Sequence, residues 1–588
     1  MKKIKYVLYS FGEVYNHGRA FFLLFIFKSF AATCRFFISV WLTKGLIDEI
    51  AKGIVMQKIS PMLIYIAIMI IGGDILFALI NLLADYFSEL SATKYNNYFT
   101  VKNSQKATRL KVEFHDSPND KNEFRQFLSD GKSIMNLYCQ TVTIIFSIFS
   151  FCVSLYISFM FSAIITIAAL VVSLPTYFVR RRNKNADYRF EKELNLTDRM
   201  IDYYKSVITE KTYYKETHAL NSTNFFFDLL KAQLNKRLDK RRELKKSKTI
   251  REAVLLVIYS IVNISINMYI IIYIILKKLT IGDYSYYTSI INNLKNNSDT
   301  IVTSISDLLF SISKVESYCL FLYSKDNEYC VGSQPMPNEV ITIQFENVSF
   351  KYPGSKEYVI KEVSFSVKKG EKIAFAGVNG AGKTTLISLL LRFYEPTSGC
   401  ILINSQDVKN FNLHEYWSYF SCMFQKSNLY NITLKENLML GQIEKIDSSN
   451  DVALCAFLSS LGLNMDKSML NNSVSKQFDE NGMIFSPGQA QKIGVVRTLL
   501  KSSQILILDE PSSAMDAISE SLIMETAFSF SEGKILFFVS HRLSNLKKVD
   551  RIIFLSNGCI EEIGTHNELM NNKSMYFNLY NKQLQKYI

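Results

Sequence analysis

The chain has 588 residues, enough for two or three domains, and it is 48% hydrophobic although 20% of its residues are charged. With a mean hydropathy of +0.08, this mixture indicates one membrane-embedded part and one soluble part. The net charge of +14 would suit a nucleic-acid binder, but the positive-inside rule favours a membrane protein with cytoplasmic Lys and Arg, and we expect no nucleic-acid partner. Nine cysteines without a Cys-x-x-Cys motif or Cys/His clusters indicate neither a zinc site nor a disulfide framework.

Six apolar segments in the first half of the chain are predicted to cross a membrane as helices, since each approaches the ~20 residues that a bilayer requires. They are roughly 21–43, 61–84, 140–159, 161–179, 252–276 and 283–311, of which the last is less apolar than the others. The third and fourth segments are nearly contiguous, so we expect a tight hairpin between them. The hydrophilic stretches 85–139 and 180–251 are predicted to continue as helices well beyond the membrane.

Basic clusters beside the apolar segments predict the orientation of the chain. They are Lys2, Lys3 and Lys5 near the N-terminus, Arg180, Arg181, Arg182 and Lys184 after the fourth segment, and Lys245, Lys246, Lys248 and Arg251 before the fifth. The positive-inside rule places these clusters in the cytoplasm, and we expect a multi-pass protein of a bacterial cell membrane that contacts membrane lipid. No small-residue cleavage site precedes the first apolar segment, which we therefore expect to be retained as an anchor.

Polar residues inside the apolar segments are costly in lipid and are therefore candidates for function. Asp74 fits either a hydrogen bond inside the helix bundle or a substrate contact, and Lys28 and Arg35 either reach toward the membrane surface or face water. Pro175 is expected to kink the fourth segment. The sixth segment carries a dense polar group, which favours a water-filled pathway: Asn292, Asn293, Lys295, Asn296, Asn297 and Asp299.

The second half begins after a linker at 325–340 that contains Pro335 and Pro337. Strand-like segments lead to 377–384, which matches the pattern G-x-x-x-x-G-K-[ST] between an apolar strand and a helix. Glycines let backbone N–H groups surround phosphate oxygens, while a lysine reaches the β- and γ-phosphates and a hydroxyl holds Mg²⁺. The predicted nucleotide-binding residues here are Gly377, Val378, Asn379, Gly380, Ala381, Gly382, Lys383, Thr384 and Thr385.

Two carboxylates end a later apolar strand, in the stretch "SQILILDEPSSAMD". Asp509 is placed to coordinate Mg²⁺ together with Thr384, and Glu510 is placed to act as the general base on the attacking water. His541 ends another apolar strand, where it could contact the γ-phosphate. A histidine in that position is more often a capping or core residue, but its place after the two carboxylates favours a catalytic function.

These motifs, taken in order, resemble those of an ABC transporter half-molecule of the exporter type. The resemblance is carried by Tyr352, the loop 377–384, Gln425 in "CMFQ", the signature with Ser486, Gly488 and Gln489, the pair Asp509 and Glu510, Asp516 in "SAMD", and His541. It implies that Tyr352 stacks on adenine and that Asp516 lies in the loop at the dimer interface. It also implies that Gln425 is both a ligand of Mg²⁺ and a catalytic residue. It also implies ATP and Mg²⁺ as cofactors and a second half-transporter as partner, with a homodimer favoured over a heterodimer.

The implied fold is an all-α domain of six transmembrane helices with long cytoplasmic extensions, followed by an α/β P-loop nucleotide-binding domain. The predicted boundaries are 1–324 for the membrane domain, 325–340 for the linker and 341–588 for the ATPase domain. By the same resemblance, short transverse helices around 114–124 and 213–224 would transmit motion between the domains. Ordinary solvated turns remain the alternative for both segments.

The signature departs from the family's Leu-Ser-Gly-Gly-Gln at Phe485 and Pro487. Ser486 and Gly488, which correspond to the groups that reach the γ-phosphate across the dimer, are both present. Ser486 is a favourable N-cap, and proline is favoured at the first position of a helix. We therefore predict that Pro487 stiffens the turn and leaves the site functional, although slower hydrolysis or an asymmetric pair of sites remains the alternative.

The exported substrate is predicted less directly. The "DEPSSAMD" stretch, Lys492 and the chain length resemble exporters of lantibiotics and related modified peptides of the nisin-transport type, and any leader peptide is expected to be removed by a separate enzyme. Peptide export is favoured over multidrug or lipid export. A non-pumping ATP-gated channel or regulator is a third alternative, which the presence of Glu510 and His541 disfavours.

Overall fold

The computed structural model of the chain describes residues 2–116, 118–325, 328–329, 332–447, 450–512, 515–540 and 542–585. It forms two compact units, one made of Met1–Thr108 and Glu123–Ser324 and the other made of Arg109–Asn122 and Lys325–Ile588. The segment 109–122 therefore packs with the C-terminal half of the chain, whereas the sequence places it inside the membrane domain.

The N-terminal half of the chain is helical. Its helices are α1 Lys2–His17, α2 Arg19–Met56, α3 Pro61–Ala107, α4 Pro118–Asp130, α5 Ser133–Phe161, α6 Ala163–Thr209, α7 Lys211–Ala219, α8 Thr223–Lys277 and α9 Ile281–Tyr323. Helices α3, α6 and α8 are each longer than a bilayer requires, which agrees with the predicted extensions beyond the membrane. The helix α7 overlaps the predicted transverse segment 213–224 over residues 213–219, and the role of that segment in transmitting motion stays a prediction.

Five helices among the described residues are long and apolar enough to cross a membrane. They are Arg19–Met56, Pro61–Ala107, Ser133–Phe161, Ala163–Lys184 and Thr223–Lys277. The predicted sixth span lies in α9, which is one continuous helix but carries the polar residues noted above. Only Ser162, in an extended conformation, separates α5 from α6, so the predicted direct connection between the third and fourth spans is confirmed.

The polar stretch of α9 is used largely for helix packing. The hydroxyl groups of Ser150 and Ser154 on α5 donate to Asn293 Oδ1 at 3.1 and 2.8 Å, and Asn297 Nδ2 donates to Ser150 Oγ at 2.8 Å. Lys295 is 3% exposed, and its Nζ donates to Asn263 Oδ1 at 2.8 Å. Lys295 is therefore buried against α8 and does not face water, because buried polar groups in an apolar bundle take hydrogen-bond partners on neighbouring helices. Asn293 and Asn297 are half-buried, and the water-filled pathway stays a prediction for the rest of the stretch.

The charged residues of the first two spans form ion pairs. Arg35 Nη2 lies 2.7 Å from Asp74 Oδ1, and Lys28 Nζ lies 2.5 Å from Asp85 Oδ1. Both pairs join α2 to α3. Because pairing reduces the cost of placing a charge in the membrane, these contacts favour the bundle hydrogen bond over the substrate contact for Asp74.

The C-terminal half contains ten strands within the described residues. They are β1 Thr342–Phe350, β2 Ile360–Lys368, β3 Lys372–Gly377, β4 Ser398–Ile403, β5 Gln406–Asp407, β6 Phe420–Met423, β7 Ile505–Asp509, β8 Ile535–Val539, β9 Arg551–Ser556 and β10 Cys559–Gly564. Its helices are α10 Lys383–Leu390, α11 Leu413–Ser418, α12 Leu434–Met439, α13 Asp451–Ser460, α14 Pro487–Leu500, α15 Ala517–Phe530, α16 His566–Asn571 and α17 Met575–Leu584.

The larger sheet has the strand order β10-β9-β3-β8-β7-β6, and the smaller sheet has the order β2-β1-β4-β5. In the larger sheet, β9, β3, β8, β7 and β6 are parallel, with Phe375 opposite Val539 and Val539 opposite Asp509. Alternate residues of β7 enter the two apolar clusters on opposite faces, Leu506 on one face and Ile507 on the other. A sheet that is covered on both faces explains why its strands are almost wholly apolar in sequence.

The segment 109–122 contacts the C-terminal half through polar groups. Lys111 Nζ donates to Glu395 Oε1 at 2.9 Å, and the hydroxyl group of Tyr394 donates to Asp116 Oδ2 at 2.6 Å. The segment contains a short 3-10 turn at Val112–His115, followed by the first residues of α4. This is the region of the predicted transverse helix around 114–124.

Candidate functional site

The loop at 377–384 joins the end of β3 to the start of α10 and has the geometry of a phosphate cradle. Gly377 and Gly382 have φ of 143° and 100°, which residues with a side chain rarely adopt. A Cβ atom at Gly377 would collide with the carbonyl oxygen of Leu555, and one at Gly382 would collide with the side chain of Ile360. Glycine is therefore required here both by the backbone conformation and by the space available.

Lys383 is folded back over this loop. Its side chain is 6% exposed, and Nζ donates to the carbonyl oxygens of Gly377 at 2.9 Å and Val378 at 3.0 Å. Burial lowers the pKa of the ammonium group, and the carboxylates of Glu510 and Asp509 act in the opposite direction. A buried cation at the N-terminus of a helix is suited to bind an anion such as a phosphate group.

Several candidate residues converge because they follow parallel strands of the same sheet. The structure brings Thr384 close to Asp509, with Oγ1 donating to Oδ2 at 3.2 Å, and brings Gln425 close to Glu510, with Nε2 donating to Oε2 at 2.9 Å. The strands β3, β7 and β6, which these residues end or follow, present their carboxyl ends to one edge of the sheet. This edge is where open α/β sheets bind their ligands.

Glu510 is held in an unusual backbone conformation with φ of 51°. Its N–H donates to the Val539 carbonyl oxygen at 3.0 Å, and its carbonyl oxygen accepts from Gln491 Nε2 at 2.9 Å. A left-handed conformation at a residue other than glycine costs about 1–3 kcal/mol, and the surrounding structure must therefore hold Glu510 in it. Gln491 was missed at the sequence level, because no local pattern shows that α14 contacts the end of β7.

The remaining residues of the predicted site lie around this centre. The hydroxyl group of Tyr352 is 3.1 Å from Thr385 Oγ1, and its ring contacts Tyr394 edge-on at 5.2 Å. Val378, Asn379 and Gly380 are exposed, whereas Ala381 is buried.

The signature residues begin α14 as the sequence predicts. Ser486 is the N-cap, with Oγ accepting from Gln489 N at 3.2 Å, while Gln489 Oε1 accepts from Ser486 N at 2.9 Å. Pro487 occupies the first helical position, where its missing N–H has no intrahelical role, and Gly488 follows it. Because the Ser486 hydroxyl acts here as an acceptor, its proton can still be donated to a phosphate oxygen.

Asp516 caps α15, since Oδ1 accepts from Ser519 N at 2.8 Å. The Ser519 N–H and hydroxyl groups lower the pKa of this carboxyl group. His541 lies outside the described residues, but its neighbour Arg542 forms an ion pair with the buried Glu520. Glu520 also accepts from Ser512 at 2.7 Å, which ties the segment after Glu510 to the segment around Arg542.

Comparisons with known proteins agree with this arrangement. A family model described as "ABC transporter" matches residues 360–513. The chain is 27% identical to the subtilin transport ATP-binding protein SpaT of Bacillus subtilis over 96% of this chain and 92% of that protein. The chain is an ABC transporter. It is a multi-pass membrane protein with fused transmembrane and nucleotide-binding parts, in which ATP hydrolysis is coupled to transport.

Two further similarities extend over nearly the whole chain. The chain is 26% identical to the putative multidrug export ATP-binding/permease protein YgaD of Bacillus subtilis strain 168, over 92% of this chain and 93% of that protein. It also superposes on the structure of a bacterial Atm1-family ABC exporter with ATP bound, with a TM-score of 0.77 and 18% identity, covering 97% of this chain and 98% of that chain. The last similarity shows the exporter fold.

Proposed function

We propose that this ABC transporter exports a modified peptide of the lantibiotic class across the bacterial cell membrane, as a homodimer with its nucleotide-binding half in the cytoplasm. The observation that carries the substrate assignment is the similarity to the subtilin transport protein, which extends through the membrane half and covers 96% of this chain. Basic clusters lie at 180–184, just after the apolar segment of α6, and at 245–251, just before the apolar segment of α8. By the positive-inside rule, they support a cytoplasmic position for the nucleotide-binding half.

The nucleotide site is proposed to take ATP with Mg²⁺. The residues present fit both: the glycine cradle leaves room that a side chain would fill, and the Thr384 hydroxyl and Asp509 carboxylate supply the oxygen donors that Mg²⁺ prefers. Gln425, whose side chain joins Glu510, would complete the metal shell. When bound, Mg²⁺ neutralises charge on the phosphate oxygens.

The remaining residues of the chain then take defined roles. Glu510 would accept the proton of the attacking water, held in position by its strained backbone and by the Gln425 amide group. Lys383 would exchange its two carbonyl contacts for the β- and γ-phosphates, and Tyr352 would stack on adenine. His541 is proposed to contact the γ-phosphate.

The second copy of the chain would complete each site. Ser486, Gly488 and Gln489 of one copy are proposed to cover the phosphate bound by the loop 377–384 of the other, with Asp516 at the interface. Contacts that exist only while the γ-phosphate is present would favour the closed dimer, and their loss on hydrolysis would favour opening. Co-expression of two differently tagged copies tests the homodimer, since both tags should be recovered in one active complex.

Peptide export is tested by replacing the subtilin exporter of a producing strain with this chain. We expect release of the modified precursor peptide into the medium, and no release with the Glu510→Gln variant. Intracellular retention of the peptide with active, correctly inserted wild-type protein would contradict the assignment.

Multidrug export is the second candidate, supported by the similarity to the putative multidrug export protein YgaD. It predicts ATP-dependent efflux of hydrophobic dyes from cells that make no peptide. Dye efflux together with failed peptide release would favour this second function.

A further inference from the structure

A large cavity lies between α6 and α8, outside the nucleotide site. Its volume is about 640 Å³. Five cations line it, Arg181, Arg182 and Arg189 on α6 and Lys240 and Arg251 on α8, and we call these five residues the basic groove. Glu193 and Glu243 are the two carboxylates in the lining, so the cavity lining carries a formal charge of +3 (five cations minus two anions).

The groove begins where α6 leaves the membrane. Arg181 and Arg182 closely follow the apolar segment 161–179, and Arg251 directly precedes the apolar segment 252–276 of α8. At 1.5 Å per residue, Arg189 lies about 12 Å further along α6 than Arg181. The headgroup layer of a bilayer is roughly 5–8 Å thick, so Arg181, Arg182 and Arg251 lie at the depth of the lipid phosphates, and Arg189 lies just beyond them on the cytoplasmic side.

Two arginines of the groove are available to a ligand. Arg182 and Arg189 are exposed and make neither a hydrogen bond nor an ion pair with any residue that the structure describes. By contrast, Arg251 donates to Asn183 at 2.9 Å and to Ser247 at 2.6 Å, and Lys240 lies 3.5 Å from Glu193. The groove thus combines fixed cations on α8 with unsatisfied guanidinium donors on α6.

We infer that the basic groove binds the phosphate headgroup of an anionic phospholipid. Guanidinium groups bind phosphate oxygens through paired N–H donors, and basic residues at the membrane surface attract anionic lipids. Phe178, about one helical turn nearer the membrane than Arg182, supplies apolar surface in the same cavity for the glycerol and acyl part of the molecule. A headgroup held by both helices would offset the repulsion among the cations and stabilise α6 against α8.

The test uses the purified full-length transporter in detergent, titrated with a short-chain phosphatidylglycerol while bound lipid is counted by native mass spectrometry. We expect saturable binding of phosphatidylglycerol and no comparable binding of phosphatidylcholine. The double variant Arg182→Gln/Arg189→Gln should bind phosphatidylglycerol on the order of 30-fold more weakly, since each basic residue contributes about a fivefold effect near an anionic surface. Arg182→Lys/Arg189→Lys keeps the charge and should restore most of the affinity.

The matched control is Lys231→Gln/Lys236→Gln, which removes the same charge from exposed positions of α8 outside the cavity. It should leave lipid binding unchanged. Equal losses in the two double variants would show only general attraction to basic surface and would overturn the proposal. Unchanged binding in Arg182→Gln/Arg189→Gln, or displacement of the lipid by inorganic phosphate at similar concentration, would also overturn it.

Discussion

The Gln425 side-chain amide donates a hydrogen bond to Glu510 Oε2 at 2.9 Å, joining the residue that follows β6 to the one that follows β7. The contact fixes the carboxylate from one side, while the Glu510 backbone is fixed from the other by Val539 and Gln491. Proton abstraction from a water molecule requires a base that is held in position. Here the neighbouring residues position Glu510, in addition to its own rotamer preference.

Removing that amide tests its role. We predict that Gln425→Ala lowers the ATP hydrolysis rate about 10- to 100-fold while the affinity for ATP changes little, because the change affects Glu510 and the metal rather than the phosphate cradle. Steady-state turnover together with nucleotide binding by fluorescence separates the two quantities. Gln477→Ala, which removes an exposed glutamine that bonds to Asn431, is the control and should leave both values unchanged. A loss confined to ATP affinity would contradict the positioning role.

The glycine cradle gives a second prediction. Gly377→Ala should abolish measurable ATP binding, since the new methyl group collides with the Leu555 carbonyl oxygen and the backbone has φ of 143°. Gly370→Ala is the matched control, because Gly370 also has a positive φ of 80° but no atom lies within 4 Å of an added Cβ. The control should cost about 1 kcal/mol of stability and retain ATP binding. Equal ATP affinities in the two variants would contradict the proposal that the loop 377–384 binds the phosphate groups.

The third prediction concerns pH. Burial lowers the pKa of Lys383 below the ordinary 10.5, and phosphate contacts should raise this pKa again. At a pH between the pKa of the free protein and that of the nucleotide-bound protein, nucleotide binding is therefore accompanied by uptake of a proton. The affinity for ATP is therefore fully present below the lower pKa and falls as pH rises through it, by at most about tenfold per pH unit. Isothermal titration across the alkaline range measures this. Lys383→Arg stays charged there and should show no such fall, so a parallel fall in both proteins would exclude Lys383 as its source.

The fourth prediction concerns the signature. Pro487→Gly should change ATP turnover by less than about threefold, because Pro487 occupies a helix position that needs no N–H donor. Ser486→Asn should keep the N-cap but lose the hydroxyl donor, so the protein stays folded while turnover falls more than about tenfold. A large rise in turnover with Pro487→Gly would show that the proline restrains the enzyme, and normal turnover with Ser486→Asn would limit Ser486 to capping.

The sequence predicted those features that local chemistry determines. The glycine loop, the carboxylates at the end of β7 and the capping of α14 by Ser486 follow from residue types at short spacing. The left-handed backbone of Glu510, its contact with Gln491 and the Glu520 network depend on which strands and helices become neighbours, and short spacing carries no such information. For the same reason, the sequence placed Lys295 beside water, whereas it is buried and donates to Asn263 on α8.

The central claim is that ATP hydrolysis at Glu510 drives export. It is tested most directly in inside-out vesicles that contain either wild-type protein or Glu510→Gln, by measuring ATP-dependent uptake of a lanthionine-containing precursor peptide and release of phosphate in the same samples. The wild type should accumulate peptide only with ATP and Mg²⁺, whereas Glu510→Gln should retain bound ATP, release phosphate at least about 100-fold more slowly and accumulate no peptide. Hydrolysis by Glu510→Gln at the wild-type rate would contradict the account.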